Sequence, residues 1–383
     1  MIYLDNAATS WPKPAVVWQA MQHYLQDIGA SPGRSSHRLG IEAGRLVYEA
    51  REALATLFGA ADPLRVIFTK NVTEALNLAL YGLLHAGDHV IAGGMEHNAV
   101  IRPLRDLERN GVRLTLAPCS PQGEMDAADF ERAIRPATRL IVLNHASNVV
   151  GTLAPIGEVG AIARRHGLLF LVDTAQTAGA YPIDMEAGQI DLLGFTGHKG
   201  LLGPQGTGGL VIGERVPLHA LPPLARGGTG SASQSEEQPE FLPDKYEAGT
   251  LNAVGLAGLG AATRFVLETG VDAIRQHELA LTRRLLEGLS DIAGVTIYGT
   301  GRAEAQVATV AFNVADLSPT DVGQRLDEEF GVCCRAGLHC APAAHRVIGT
   351  FPAGSVRFGL GYFNTTQDVD AAVEAVRAIV RGI

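Results

Sequence analysis

The sequence predicts an α/β chain, with a large domain built on a mostly parallel sheet and a smaller α+β C-terminal domain. Two observations carry this. From about residue 64 onward, short β-branched runs alternate with longer helical ones, and parallel neighbours need a helix-length crossover between them. Of the 383 residues, 46% are hydrophobic, enough for one large core and a second, smaller one.

The strand-like runs fall at residues 65–69, 88–92, 113–116, 139–144, 168–173 and 191–195. The helices between them read as 72–85, 98–110 and 156–166, each closed by a glycine close to its end, as helix C-termini often are. Residues 226–245 carry Gly227, Gly228, Gly230, several serines, Pro239 and Pro243 with no hydrophobic period, and read as a long loop. Residues 251–289 read as helical. The runs at 295–298, 307–313, 332–335, 355–360 and 368–380 then make the small α+β domain. The division is therefore 15–250 for the large domain and 251–383 for the small one, with residues 1–14 packing near the latter.

A formal net charge of -9 argues against a non-specific grip on nucleic acid, which depends on phosphate neutralisation by Lys and Arg. The N-terminus has neither a cationic start nor an apolar stretch of signal-peptide length, and apolar runs such as 168–172 are strand-sized. The expectation is a cytoplasmic protein without membrane or nucleic-acid partners. Cys119, Cys333, Cys334 and Cys340 form no CxxC pair, so reduced thiols are expected rather than a metal site or a disulfide framework.

The strongest local signal is a strand ending in a carboxylate, Leu169-Phe170-Leu171-Val172-Asp173, followed by Thr196-Gly197-His198-Lys199-Gly200. An aspartate at the carboxyl end of such a strand points into the crevice where α/β folds bind ligands. Pyridoxal phosphate (PLP) needs an acid to keep its pyridine nitrogen protonated and a lysine for its Schiff base, and Asp173 with Lys199 supplies both. A helix N-cap would explain Asp173 alone. Thr196 and His198 offer a hydroxyl and an imidazole to the cofactor phosphate, or serve as turn residues. Asn71-Val72-Thr73-Glu74 opens a helix whose first amides favour an anion, although a capping box explains the same residues. The glycine-rich run from Gly203 to Gly209 leads into a strand, which removes a dinucleotide-loop reading.

His97 follows a strand on the same sheet edge and offers a ring to stack on PLP, with capping as the plainer role. Asn148 and Gln176, also after strands, are candidates for hydrogen bonds to the pyridine oxygen, with loop packing as the alternative. Cys340 sits in a Gly- and Pro-bounded loop with Arg335 and His339 close by, and basic neighbours favour the nucleophilic thiolate. Cys333 and Cys334 read as inert strand residues. Arg357, on a small-domain strand, offers a planar fork to a substrate carboxylate, with a surface ion pair as the alternative.

The ordered set Tyr3-Leu-Asp-Asn-Ala-Ala, Asn71-Val-Thr-Glu-Ala, Met95-Glu-His, Ser147-Asn-Val-Val-Gly-Thr, Asp173-Thr-Ala-Gln, Thr196-Gly-His-Lys and Arg335-Ala-Gly-Leu-His-Cys resembles the class V aminotransferase-fold cysteine desulfurases over nearly the whole chain. Its cysteine loop is similar to the SufS-type and selenocysteine lyase-like subgroup. The resemblance implies a PLP-dependent transferase of fold type I, a homodimer that converts L-cysteine to L-alanine and leaves a persulfide on Cys340. It implies Lys199 as the Schiff-base lysine, Asp173 as pyridinium partner, Gln176 as contact to the pyridine oxygen and His97 as stacking ring. Thr73, Thr196 and His198 would bind phosphate, and Asn148, Arg335 and Arg357 the substrate carboxylate side. Glu247-Ala-Gly-Thr250 resembles the segment that reaches the neighbouring subunit's cofactor phosphate, with Thr250 as the contact.

Two residues depart from the subgroup. Val72 stands where a threonine is frequent, which removes one phosphate hydroxyl, and Leu338 stands where a histidine is frequent. The sulfur acceptor, a SufE- or SufU-like protein, is not named by the sequence. L-selenocysteine is the alternative substrate. A selenocysteine lyase or cysteine β-lyase on the same scaffold is the rival enzyme reading, and a catalytically silent protein that kept the fold is the rival of another class.

Overall fold

The computed structural model describes residues 1–33 and 36–382; residues 34, 35 and 383, included in the spans above, lie outside the described residues. A short strand, β1 (Ile2–Tyr3), opens the chain. The main sheet follows, from β2 (Val66–Thr69), β3 (His89–Gly93), β4 (Arg113–Ala117), β5 (Thr138–Asn144), β6 (Leu169–Asp173), β7 (Leu192–Thr196) and β8 (Gly208–Ile212). Its order is β2-β8-β7-β6-β5-β3-β4. The five strands from β7 to β4 run parallel, while β8 runs antiparallel to both its neighbours.

Burial on both faces explains the near-continuous apolar strands. In β5, Leu140 and Val142 join α3 (Val72–Leu83) and α4 (Asn98–Arg109) in one core, while Ile141 and Leu143 face the other side. That second core also takes Leu54 and Phe58 of α2 (Arg38–Phe58) and Val159 and Ile162 of α6 (Ile156–Arg165). The stretch before residue 64, given no elements above, supplies α1 (Ala15–His23) and α2. The short α5 (Ala127–Arg132) precedes β5.

The helical stretch expected over 251–289 is two helices, α7 (Ala253–Thr269) and α8 (Val271–Ser290), broken at Gly270 with φ of 86°. Their destinations differ. Leu256 and Leu259 of α7 pack into the core shared with α2, whereas Leu281, Leu285 and Leu289 of α8 pack on a second, four-stranded sheet. That sheet is built from β9 (Val295–Tyr298), β10 (Thr309–Val314), β12 (Arg335–Gly337) and β13 (Ser355–Gly359), in the antiparallel order β12-β13-β10-β9. Helices α9 (Pro319–Phe330), α10 (Pro342–Val347) and α11 (Thr366–Arg381) complete this part. The single run expected at 332–335 is also two pieces: β11 (Val332–Cys333) pairs with β1, and β12 pairs with β13. As expected, residues 226–245 hold no helix or strand.

One buried ion pair ties the end of that long loop to the main sheet. Arg51 of α2 and Glu247 face each other with side chains each 4% exposed, through two contacts between the guanidinium and the carboxylate. Glu247 Oε1 also accepts from the Phe68 N–H at 2.7 Å. A buried charge stripped of its partner is costly, so Glu247→Gln is expected to lower folding stability by about 3–5 kcal/mol. Urea unfolding of the two proteins measures this, and a smaller loss in Arg51→Met/Glu247→Leu than in Glu247→Gln would identify the uncompensated guanidinium as the cause.

Candidate active site

The carboxyl ends of the parallel strands converge. Register places Asn144, at the end of β5, beside Asp173 at the end of β6, and Asp173 beside Gly194 of β7. Thr196 ends β7, and His97 caps α4 just after β3. One cavity on this edge is lined jointly by His97, Asn148, Asp173, Gln176 and Lys199, with Val72 in its wall. Five candidates from four distant segments therefore meet.

Asp173 is 4% exposed and accepts from the Ala175 N–H at 2.9 Å in a turn, not at a helix start, so the N-cap alternative falls. Burial raises its pKa, against the pull of Lys199. Lys199 is pushed down to about 8 by loss of water, with Asp173 opposing and Arg357 and Arg335 adding to the shift. Among the described residues its ammonium makes no ion pair. At pH 7, a pKa near 8 leaves roughly a tenth of such an amine neutral, against a few parts in ten thousand for an ordinary lysine.

His97 does cap α4: its Nδ1 accepts from the Ala99 N–H at 3.0 Å. The neutral ring then carries its proton on Nε2, and burial, helped by Lys199 and Arg335, holds the pKa at about 4. Capping and lining the cavity are one placement. His198 is pushed to about 4 by burial and by Lys199 and Lys13, and its Nδ1 is buried without a partner. The same holds for Thr196 Oγ1, Asn148 Oδ1 and Asn144 Oδ1. Gln176 donates to the Ala7 carbonyl at 3.1 Å.

The cysteine loop rests on this cavity's wall. Asn148 Nδ2 donates to the His339 carbonyl at 2.6 Å, and the Asn98 N–H to the Cys340 carbonyl at 2.9 Å. His339 and Cys340 have φ of 48° and 57°, a left-handed pair that only such anchoring holds in non-glycine residues. Cys340 is exposed, with Arg335 Nη2 at 3.7 Å from its sulfur. Burial raises the other thiols, Cys119 to about 11 and Cys334 to about 12, and Cys333 also rises. His339 does not supply the charge expected of it. It is buried, pushed down to about 2, and its ring nitrogens meet the Arg335 carbonyl and His345.

Arg357 is not a surface residue. It is 1% exposed, donates through Nη2 to Asp5 Oδ1 and through Nη1 to the Asn148 carbonyl, both at 2.9 Å, and its Nε is buried without a partner. Asp5 was missed as a site residue although its segment was quoted, because nothing local marks it. Glu96 was missed too; it is buried, burial pushes its pKa up, and it accepts from the Asn144 N–H at 2.9 Å.

Thr73 and Thr250 stand outside the cavity. Thr73 is exposed in the first turn of α3, where Asn71 caps the helix by accepting from the Glu74 N–H at 3.0 Å. That turn nevertheless abuts Thr196, since Gly208 pairs with Thr196 and a Cβ on it would lie 2.7 Å from Asn71 Cα. Thr250 is exposed and lines a separate groove with Lys70, Glu74 and Asn252.

The class-V aminotransferase model matches residues 2–372. This chain belongs to the class-V aminotransferase family. It is a PLP-dependent enzyme of fold type I. It is 35% identical over 381 residues to a probable cysteine desulfurase of Methanothermobacter thermautotrophicus, covering 99% of this chain and 94% of that protein. It is 36% identical over 389 residues to a cysteine desulfurase of Yersinia pestis, covering 99% and 93%. Among solved structures, the apo cysteine desulfurase of Thermococcus onnurineus matches with a TM-score of 0.94 at 32% identity, covering 100% of this chain and 95% of that one. Cysteine desulfurase CsdA of Escherichia coli matches with a TM-score of 0.88 at 28% identity, covering 100% and 95%.

The residues present fit PLP. Buried polar atoms normally find partners. The orphaned Asn148 and Asn144 atoms belong to residues that line the cavity with an unpaired lysine and a buried aspartate, while those of Thr196 and His198 lie on the segment that leads to that lysine. Uptake of PLP by the apoprotein needs the neutral amine, so its rate is expected to rise with pH around a midpoint near 8. Asp173→Asn removes the anion that favours the ammonium and is expected to move that midpoint lower. Stopped-flow absorbance across the pH range checks both directions.

Proposed function

We propose that this enzyme is a cysteine desulfurase that converts L-cysteine to L-alanine and leaves a persulfide on Cys340. The observation that carries this is the seating of an exposed cysteine, beside Arg335, on the Asn148 and Asn98 anchors at the wall of the Lys199 cavity. When bound, PLP supplies the electron sink that labilises bonds at the α and β carbons of an amino acid. Lys199 would hold it and move protons at the substrate's carbons, since its lowered pKa makes both protonation states accessible near neutrality. Asp173 would keep the ring nitrogen charged, His97 would stack on the ring face, and Gln176 would contact the ring oxygen. Thr73, Thr196 and His198 would take the phosphate, and Thr250 the phosphate of a partner subunit in a homodimer.

Asn148, Arg335 and Arg357 would hold the substrate carboxylate. The Cys340 thiolate attacks the substrate sulfur: an S–S bond forms, the C–S bond breaks, and the carbon fragment gains the proton that completes alanine's methyl group. Arg335 Nη2 lies 3.7 Å from the Cys340 sulfur. The persulfide would pass to a SufE- or SufU-like acceptor in the cytoplasm, towards iron–sulfur cluster assembly. Among the described residues no helix is long and apolar enough to cross a membrane. We further propose that the two domains divide at Gly270, not at 250/251, because α7 shares the core of the main sheet.

Cys340→Ala is expected to bind L-cysteine with the wild-type spectral change, yet to release little alanine and carry no persulfide. Amino-acid analysis and intact-mass measurement check this. Pyruvate and ammonia in place of alanine would mark a β-lyase, and undiminished alanine from L-selenocysteine alone would mark a selenocysteine lyase.

A further inference from the structure

We propose that Asp5 is a positioning residue for substrate recognition, holding the Arg357 guanidinium so that one edge of its fork is left without a protein partner at Nε, for the substrate's α-carboxylate. This rests on the desulfurase reading above, in which Arg357 meets that carboxylate. Arg357 has three nitrogens that donate. Nη1 is committed to the Asn148 carbonyl and Nη2 to Asp5 Oδ1, while Nε is buried without a partner. A carboxylate that binds a guanidinium side-on uses Nε and one hydrogen of Nη2, and Nη2 has a second hydrogen for Asp5. The edge that carries the unpaired Nε is thus the bidentate one.

The fold goes to some length to put Asp5 there. Residues 4–6 run against the end of β13: the Gly359 N–H donates to the Leu4 carbonyl at 2.6 Å and the Asn6 N–H to the Gly359 carbonyl at 3.1 Å. Asp5 bridges Gly359, and Arg357 precedes Gly359 by two residues on the same strand, so both side chains occupy one face. The approach needs glycine, because a Cβ on Gly359 would lie 2.6 Å from the Ala7 nitrogen. The same N-terminal segment continues to the lysine, where Ser10 Oγ donates to the Lys199 carbonyl at 2.8 Å. Asp5 therefore sits on a strap that joins the small sheet to the Lys199 turn.

Charge gives Asp5 a second reason to be there. The Arg357 side chain is 1% exposed and Asp5 is its only ion-pair partner among the described residues, at 22% exposure. Without the carboxylate, the buried guanidinium would be free to turn towards any carbonyl within reach, and its alignment with a substrate would be lost.

The test compares kcat/KM for L-cysteine and for L-cysteinamide, which lacks the carboxylate charge, in wild type, Asp5→Asn, Asp5→Glu and Arg357→Lys holoenzymes. Cofactor content and thermal unfolding certify that each variant is folded. The ratio of the two substrates is blind to general damage, because a structural defect slows both. The expected result is a fall of about tenfold in the ratio for Asp5→Asn, mostly through KM for L-cysteine, with Asp5→Glu retaining part of it and Arg357→Lys falling at least as far. A fall in Arg357→Lys alone would overturn the role of Asp5 and leave the desulfurase reading standing. A rise in Asp5→Asn would overturn it too, by making Asp5 a competitor of the substrate. No change in either would remove Arg357 from carboxylate recognition. If Asp5→Asn does not fold, an unchanged ratio in Asp5→Glu, whose longer arm shifts the carboxylate, overturns the proposal by itself.

Discussion

Two opposite charges stripped of water at the ends of neighbouring strands set the terms for the rest of this molecule. Asp173 and Lys199 each lose hydration, and burial is the leading cause of both shifts, upward for the acid and downward for the base. Their mutual attraction recovers only part of that loss, and the fold brings the two to one cavity without an ion pair between them. Parallel strands, four of the five largely buried, fix the strand ends, and the orphaned Asn144 and Asn148 oxygens in the cavity wall fit a polar cofactor.

The same dryness sorts the site's cations. His97, His198, His339 and His345 are all held far below neutral titration by burial. Positive charge therefore comes from Lys199, Arg335 and Arg357. Each has a distinct neighbour: Lys199 faces Asp173, Arg335 lies against the Cys340 sulfur, and Arg357 is paired with Asp5. Histidines here serve as a helix cap, at His97, and as hydrogen-bond partners, at His339 and His345, rather than as charges.

Much of this was legible in the sequence, and the failures share a cause. Asp173 and Lys199 stand out because a strand-terminal acid and a lysine among small residues are local signals, and the alternating α/β pattern fixes which sheet edge they share. Asp5 was invisible because its partner lies 352 residues away and the pairing depends on a glycine two places beyond that partner. His339 looked like a charge beside Cys340 in sequence, but burial, which no short motif encodes, makes it neutral. The break at Gly270 was hidden for another reason: both flanking stretches are helical and only one residue separates them, so their different destinations alone show that the chain changes layers there.

The central claim is that one lysine carries the cofactor, and peptide mapping after borohydride reduction of the holoenzyme tests it most directly. The account predicts a reduced pyridoxyl adduct on the peptide containing Lys199, and none on that peptide in Lys199→Ala. An adduct on Lys13, Lys70 or Lys245 in the wild-type protein, with Lys199 unmodified, would contradict it.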